Sequence, residues 1–183
     1  MRLRKISKTT TILLLIIAVL ATAFATVYYT RTISNQATIK AAWGISLWRM
    51  DSSYQNPVEM ITAINWGELD PGTEFTTNQL YGTCLKLKND GNTEVYVAWE
   101  LDTTTPLPSG VTLTARYCIG GSAWIDLPQN DFADIHIDKG AFSGVSSDPN
   151  AGRIEWKLSI DLYADPGAFA FNILLKAADS SSG

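Results

Sequence analysis

Several segments of the chain alternate strictly between apolar and polar residues, and this alternation limits the fold more than any other feature. In RIEWKLSIDLY, residues 153–163, the apolar Ile154, Trp156 and Leu158 alternate with Glu155 and Lys157. Successive side chains of a strand point to opposite faces, so a period of two indicates a strand with one buried face. The same pattern recurs in ATIKAAWGISLW, TCLKLK, EVYVAWEL, VTLTARY and AFAFNILLK. The sequence therefore predicts antiparallel sheets.

The connections between these segments contain turn residues. KNDGNTE carries an Asn-Asp-Gly turn, which predicts a hairpin between Leu85–Lys88 and Glu94–Leu101. Proline, glycine and serine also punctuate TTTPLPSG, SGVSSDPNAG and ADPG. About seven to nine short strands joined in this way are typical of a β-sandwich. The predicted fold class is all-β, an antiparallel sandwich of jelly-roll or immunoglobulin-like type after one N-terminal hydrophobic helix. Its predicted interior contains Trp99, Trp156, Leu158, Ile160, Phe171 and Ile173.

Residues 1–29 have the pattern of a signal peptide or a signal anchor. The basic MRLRKISK precedes an apolar stretch in which Ala21-Thr22-Ala23 and Ala23-Phe24-Ala25 match a small-x-small cleavage site. The apolar run Ile12–Tyr29 is also long enough to span a membrane. Cleavage and retention both remain open. Either one predicts an extracytoplasmic domain, secreted or on the cell surface, with the membrane as a partner if the helix is kept.

The leader sets the expected domain limits. Residues 30–36 are predicted to be a linker or donor strand, residues 37–178 the sandwich, and residues 179–183 a polar tail. The whole chain has a net charge of −4 and a pI of about 4.9. Much of its positive charge lies in the leader, so the predicted domain is acidic. An acidic surface lacks the positive potential that binds phosphate backbones, which argues against a nucleic-acid partner.

The stretch AINWGELDPGTEF, residues 63–75, combines an expected strand end with a turn. Trp66 closes a hydrophobic run and is expected to cover the end of the core. Gly67 permits a positive φ or a close backbone approach at that point. Pro71 and Gly72 suit the second and third positions of a type II turn. We expect the chain to leave a strand at Trp66 and to cross to the next one after Gly72.

These turn residues carry a resemblance to a known family. Trp66-Gly67, Pro71-Gly72, the segment KNDGNTEVYVAWEL and the closing IDLYADPGAFAFNILL resemble a group of exported archaeal β-sandwich proteins. That group is similar to the TasA/camelysin family of biofilm-matrix proteins and to archaeal thread and bundling-pilus subunits. The resemblance implies a jelly-roll subunit, and in the filamentous members an N-terminal segment completes the sheet of the next subunit. Archaeal threads are often glycosylated, whereas this chain has no N-x-[ST] sequon.

The residues offer no recognisable catalytic set, and the prediction is a protein that is not an enzyme and has no cofactor. The single histidine, His136, lies near Asp131, Asp134 and Asp138, a set from which a cation site could be built. A solvated acidic face explains this spacing better, so no metal ligand is predicted. Serine elbows, phosphate loops and histidine–carboxylate helix motifs do not occur in the sequence.

Cys84 and Cys118 are the only cysteines. In an exported domain two cysteines favour one disulfide. Two alternatives remain, namely pairing between two chains and two unpaired cysteines that act as small hydrophobic residues, although the leader argues against the second.

The predicted function is a non-enzymatic structural subunit of a surface filament or biofilm matrix, with self-association or other cell-surface proteins as partners. Val27, Tyr29 and Ile33 alternate with polar residues and mark a possible donor strand, which could add to an exposed sheet edge of a neighbour. The alternative is a membrane-anchored monomeric binding or adhesion domain. Six tryptophans make carbohydrate one candidate ligand of that domain.

Overall fold

The computed structural model describes residues 33–41, 44–144, 147–164 and 168–181. These residues form two β-sheets and one five-residue helix, so the predicted all-β fold with two sheets is confirmed. The strands are β1 (Ile33–Ala41), β2 (Ile45–Met50), β3 (Pro57–Met60), β4 (Ala63–Leu69), β5 (Glu74–Thr76), β6 (Leu85–Asn89), β7 (Val95–Leu101), β8 (Val111–Gly120), β9 (Ala123–Leu127), β10 (His136–Ile137), β11 (Arg153–Ile160) and β12 (Phe169–Ala178); the helix is α1 (Thr77–Tyr81).

Sheet A contains five strands in the order β10-β7-β12-β1-β4. The first strand of the domain, β1, lies between the last strand and β4, so it has a neighbour on both sides. It runs parallel to β12, with Ala37 opposite Phe171, and antiparallel to β4, with Ala37 opposite Ile64. The N-terminal strand of the domain is therefore an internal part of its sheet.

Sheet B is built around β11 and follows the order β3-β2-β6-β11-β8-β9. Strand β8 pairs with β11 along Ile154–Ile160. The opposite side of β11 is shared, because β6 pairs with its first two residues and β5 with Lys157–Ser159. Helix α1 fills the interval between β5 and β6, where the Thr77 hydroxyl accepts a hydrogen bond from the Trp156 backbone N–H at 3.1 Å.

The core lies between the inner faces of the two sheets. The side chains predicted for the interior are all buried, and Trp156 and Ile173 are fully inaccessible to solvent. The alternation in β11 places Ile154, Trp156, Leu158 and Ile160 inward. The sequence pattern therefore identifies the inner faces correctly.

The motif at Trp66 and Gly67 lies inside a strand. Strand β4 continues to Leu69, and the register between β1 and β4 shifts beside this point, which is a β-bulge. Trp66 is 2% exposed and belongs to the core, as expected. Gly67 has a φ of +71°, and a Cβ built on it would meet nothing within 4 Å, so the glycine is needed for its conformation and not for a close approach.

The turn at Pro71-Gly72 carries the chain from sheet A to sheet B. Gly72 has a φ of +80°, as the third position of a type II turn requires. Its N–H donates to the carbonyl oxygen of Ile160 at 2.8 Å, and strand β5 then begins at Glu74 beside β11. The predicted crossing after Gly72 is confirmed.

The predicted hairpin across KNDGNTE is wrong. Strand β6 lies in sheet B and β7 in sheet A, so the turn connects the two sheets. The buried Asn89 side chain explains this path, because its Nδ2 donates to the carbonyl oxygens of Thr93 at 2.7 Å and Ile137 at 3.2 Å. These bonds hold the end of β6 against β10, which belongs to sheet A, and against the residues just before β7.

Two predicted boundaries also differ from the structure. The segment ATIKAAWGISLW does not form one strand, since β1 ends at Ala41 in sheet A and β2 begins at Ile45 in sheet B. Residues 33–36, assigned from sequence to a linker or donor strand, belong to β1. The leader at 1–29 and Trp43 lie outside the described residues. Among the described residues, no helix is long and apolar enough to cross a membrane.

Two glycines make a matched test of this fold. A Cβ on Gly152 would lie 1.8 Å from the carbonyl oxygen of Ser143, whereas a Cβ on Gly121 would meet nothing within 4 Å. Both glycines have positive φ. We expect Gly152→Ala to lower the free energy of unfolding by about 4 kcal/mol or more, and Gly121→Ala by about 1–2 kcal/mol.

Urea unfolding followed by tryptophan fluorescence measures both changes. Equal losses in the two variants would contradict the predicted contact between Gly152 and Ser143.

Candidate binding groove and assembly elements

A groove crosses the outer face of sheet B. Its floor consists of the side chains that alternate with the core residues, namely Thr114 and Arg116 of β8 and Glu155 and Lys157 of β11. The part beside the end of β9 has a volume of about 600 Å³. The part beside α1 has a volume of about 490 Å³. Both volumes fall in the range of ligand-binding clefts.

Helix α1 and strand β5 form one wall of the groove. The helix begins with a capping box, in which the Thr76 hydroxyl accepts from the Gln79 N–H at 3.2 Å and the Gln79 side chain accepts from the Thr76 N–H at 2.8 Å. It ends at Gly82, which has a left-handed conformation. The opposite wall follows the end of β9 at Asp126, Leu127, Pro128 and Gln129. Helix α1 is not among the predicted elements, although its capping residues are visible in TTNQ.

The charged groups on the floor are paired with one another. Arg116 Nη2 lies 2.6 Å from the Oε1 atom of Glu155, whose side chain is only 3% exposed. Lys157 Nζ lies 3.3 Å from Glu74 Oε1, which also accepts a hydrogen bond from the Ser159 hydroxyl at 3.2 Å. The floor therefore presents balanced charge.

One polar atom in the wall has no partner. Asn78 lines the groove beside α1, and its side-chain oxygen, Oδ1, is buried and accepts no hydrogen bond from any residue that the structure describes. A buried acceptor without a donor is costly, so such atoms are uncommon in folded proteins. Asn78 therefore places an unsatisfied acceptor behind the surface of the groove wall, which a ligand reaches only if the amide turns towards the groove.

Trp124 lies next to the groove but is covered by cations. The guanidinium carbons of Arg116 and Arg153 lie 4.5 Å and 5.0 Å from the centre of its ring. Arg153 also lies 5.0 Å from the ring of Tyr54. Trp48 packs edge-on against Phe142 and donates from Nε1 to the Ser46 hydroxyl at 2.8 Å. The half-buried side chains of Trp48 and Trp124 are therefore engaged within the domain.

The predicted disulfide is not formed, and both cysteines are free and buried. Cys84 precedes β6 and Cys118 lies in β8, and these strands flank β11 on opposite sides. Two strand spacings amount to about 10 Å, which exceeds the roughly 7 Å between Cα atoms that a disulfide permits. The Cys118 sulfur lies 3.3 Å from Arg153 Nη2. Burial raises the pKa of the Cys84 thiol to about 11.

The histidine segment brings together a different set from the one considered in the sequence. His136 and Asp138 lie close to Glu94, with their ligand atoms within 4.8 Å of one another. His136 Nε2 is 3.6 Å from Glu94 Oε2. Asp131 instead accepts from the Ala133 N–H at 2.9 Å. All three clustered residues are exposed, so we interpret the group as a solvated charged surface.

Strand β1 carries a second buried polar group. Its inward residues are Asn35, Ala37 and Ile39. Asn35 is completely buried, although both polar atoms of its amide lack a hydrogen-bond partner within the described part of the chain. Of the predicted donor residues, Val27 and Tyr29 lie outside the described residues. Ile33 is the first residue of β1 and pairs with Leu69.

Two strands at sheet margins are candidates for contact with other chains. Strand β3 forms one edge of sheet B, and all four of its residues are exposed, including Val58 and Met60 at about half of their surface. Strand β4 forms an edge of sheet A, where the Tyr81 hydroxyl of α1 donates to the Ala63 carbonyl oxygen at 3.4 Å. Strand β3 is therefore the more open of these two edges.

The chain matches no protein-family model and no curated protein sequence.

The free cysteines predict a specific pattern of chemical reactivity. We expect both thiols of the folded protein to resist iodoacetamide at neutral pH because they are buried, and both to react after unfolding in urea. Mass spectrometry of the alkylated chain measures this. Recovery of a Cys84–Cys118 disulfide from protein purified without reductant would contradict the structure.

The Cys84 pKa also predicts a loss of stability at high pH. Because the folded pKa of about 11 exceeds the ordinary value of 9.0, folding favours the neutral thiol. This contribution is fully present below pH 9 and declines as the pH rises towards 11. Cys84→Ala should lose less stability than the unaltered protein between pH 9 and 11, measured as the urea midpoint, and identical pH profiles would refute the assignment.

Proposed function

We propose that the protein is a non-enzymatic, extracytoplasmic structural subunit of a surface filament or biofilm matrix that assembles by strand donation. In this proposal residues 1–29 direct export as a signal peptide or anchoring helix, and the domain is a jelly-roll sandwich of the kind that the TasA/camelysin resemblance implies. The observation that carries the proposal is the position of β1.

Strand β1 has the properties that a donated strand needs. It is the first strand of the domain, so it can leave its place without pulling another strand through the sheet. Its place lies between β12 and β4, so a strand inserted there gains backbone hydrogen bonds on both sides. Only residues 42–44 separate it from β2 in the other sheet. A change of path in this short connection would let β1 of one copy occupy the place of β1 in the next.

The sequence before β1 extends the donated segment. Val27–Ile33, predicted from sequence as the donor, leads directly into β1. Ile33 lies opposite Leu69, at the end of β4 near the Pro71-Gly72 turn. In the proposed filament, the residues before Ile33 lie along the neighbouring subunit as a continuation of the inserted strand.

A cysteine pair distinguishes insertion within one chain from donation to another. Thr38 of β1 lies opposite Ala63 of β4, and neither residue belongs to the core. We expect oxidised Thr38→Cys/Ala63→Cys filaments to run as a ladder of covalent multimers on a non-reducing denaturing gel. The filaments are prepared from the variant chain without residues 1–25 and are identified by electron microscopy before the gel is run.

The pair Thr112→Cys/Ser159→Cys is the matched control. These residues lie opposite each other in β8 and β11, which stay within one chain in this proposal, so the control should give only monomers on the gel. Filaments in which the Thr38–Ala63 bond lies entirely within single chains would refute donation of β1. Persistent monomers of both variants and of the unaltered chain would refute the structural function itself.

Removal of the extension tests its part in assembly. Deleting Thr26–Thr32 leaves β1 whole, so we expect the domain to keep its circular dichroism spectrum and its unfolding midpoint. The same deletion should abolish filaments in electron micrographs. Filaments that persist unchanged would show that Val27–Thr32 is dispensable.

The groove on sheet B favours a second candidate function. A monomeric binding or adhesion domain, held at the membrane by an uncleaved leader, would use this groove for its ligand. Analytical ultracentrifugation of the chain without its leader separates the two candidates, because the first requires polymers and the second requires monomers that bind.

A further inference from the structure

We propose that the groove on the outer face of sheet B binds a neutral polyhydroxylated ligand, namely a glycan chain. This inference deepens the second candidate function and does not depend on filament assembly. It rests on three properties of the groove: paired charges on the floor, an unsatisfied acceptor in the wall, and a suitable volume.

The paired charges argue against an ionic ligand. An anion gains little at Arg116, because the buried Glu155 carboxylate, whose side chain is 3% exposed, already neutralises the guanidinium and would be left without its partner if the anion replaced it. A cation that bound Glu74 would likewise displace Lys157. Asp126 on the opposite wall is exposed, so water solvates its carboxylate and a cation gains little there. A neutral ligand can accept hydrogen bonds from the outer N–H groups of Arg116 and leave its ion pair intact.

The wall requires a hydrogen-bond donor. Asn78 Oδ1 is buried and accepts no hydrogen bond among the described residues, so a turn of this amide towards the groove would let a ligand donor remove an existing penalty. A hydroxyl group both donates and accepts. Successive hydroxyls of one sugar chain can therefore serve Asn78 on the wall and Arg116 and Thr114 on the floor.

The groove is long enough for a chain. It extends from α1 and β5 across β11 and β8 to the residues after β9, and three strand spacings amount to about 14 Å. Of the tryptophans that the structure describes, only Trp99 lines it, and Trp99 is 3% exposed. The groove therefore recognises its ligand through hydrogen bonds, without an exposed aromatic ring for stacking, and weak binding is expected.

The experiment measures backbone amide shifts of the folded domain, by two-dimensional NMR, during titration with four oligosaccharides. Cellohexaose and chitohexaose are neutral, oligogalacturonate is acidic and chitosan hexamer is basic. We expect a neutral oligomer to shift the amides of α1, β8 and β11 that border the groove. The proposal is overturned if none of the four shifts these amides, or if a charged oligomer binds more tightly than both neutral ones.

Substitutions inside and outside the groove test where the oligosaccharide binds. Asn78→Leu removes the unpartnered oxygen and its penalty, so we expect an unfolding midpoint equal to or higher than that of the unaltered protein and about tenfold weaker binding. Thr114→Leu places a larger apolar group on the floor and should also weaken binding. Thr112→Leu is the matched control, because Thr112 is an exposed residue on the same face of β8 and does not line the groove. Equal binding by the Thr114 and Thr112 variants, or normal binding by a folded Asn78→Leu protein, would overturn the assignment.

The two proposals fail in different measurements. Filaments that bind no oligosaccharide would overturn the glycan site and leave strand donation intact. Monomers that bind an oligosaccharide would do the reverse.

Discussion

The arrangement of the domain depends on β11, a strand with a buried inner face and one buried carboxylate on its outer face. Its inner face carries Ile154, Trp156 and Leu158, which are inaccessible to solvent, while Glu155 on the outer face is 2% exposed. A carboxylate buried in this way requires a cation, and Arg116 of β8 supplies it. The side of β11 that lacks a continuous strand partner is completed by β6, α1 and β5 in turn. The Thr77 hydroxyl satisfies the backbone N–H of Trp156 in the interval.

The groove is a consequence of how the neighbours of β11 end. Because β5 and β6 each cover only part of β11, the chain between them leaves the sheet as α1, which rises beside the outer face and forms a wall. On the other side β9 ends at Leu127, and Pro128 and Gln129 continue past the open half of β8. The partial pairing of β5 and β6 with β11 therefore explains both the capped helix α1 and the groove beside it.

The sequence predicts inner faces well because alternation is a local property. It identifies Trp99, Trp156, Phe171 and Ile173 as core residues, and it anticipates the crossing after Pro71-Gly72, since proline and glycine specify a turn within four residues. The sequence does not predict which strands pair with each other. The NDG turn suggests a hairpin, but the partners of β6 are chosen by the buried Asn89 amide and its bonds to Thr93 and Ile137, which lies far away in sequence.

The cysteines and the groove residues also show that local sequence patterns do not predict which distant residues come together. Cys84 and Cys118 both lie on the outer face of sheet B, and only the strand order reveals that β11 separates them. Arg116 and Glu155 are 39 residues apart in sequence, and no local pattern marks them as partners. TTNQ, by contrast, is a local capping pattern, so α1 could have been found from the sequence alone.

The internal position of β1 has a thermodynamic consequence for any assembly by strand exchange. Seated in its own sheet or in that of a neighbour, β1 makes the same hydrogen bonds, buries the same side chains and leaves the same Asn35 amide without a partner. The free energy of these contacts is then the same in the two states. The outcome depends on the effective concentration of β1 at its own place between β12 and β4, which is millimolar for a short flexible connection. Below that subunit concentration the self-closed monomer prevails at equilibrium. A polymer would need interactions that the closed monomer lacks, and the residues before Ile33, rather than β1 itself, are the part of the donated segment that could supply them.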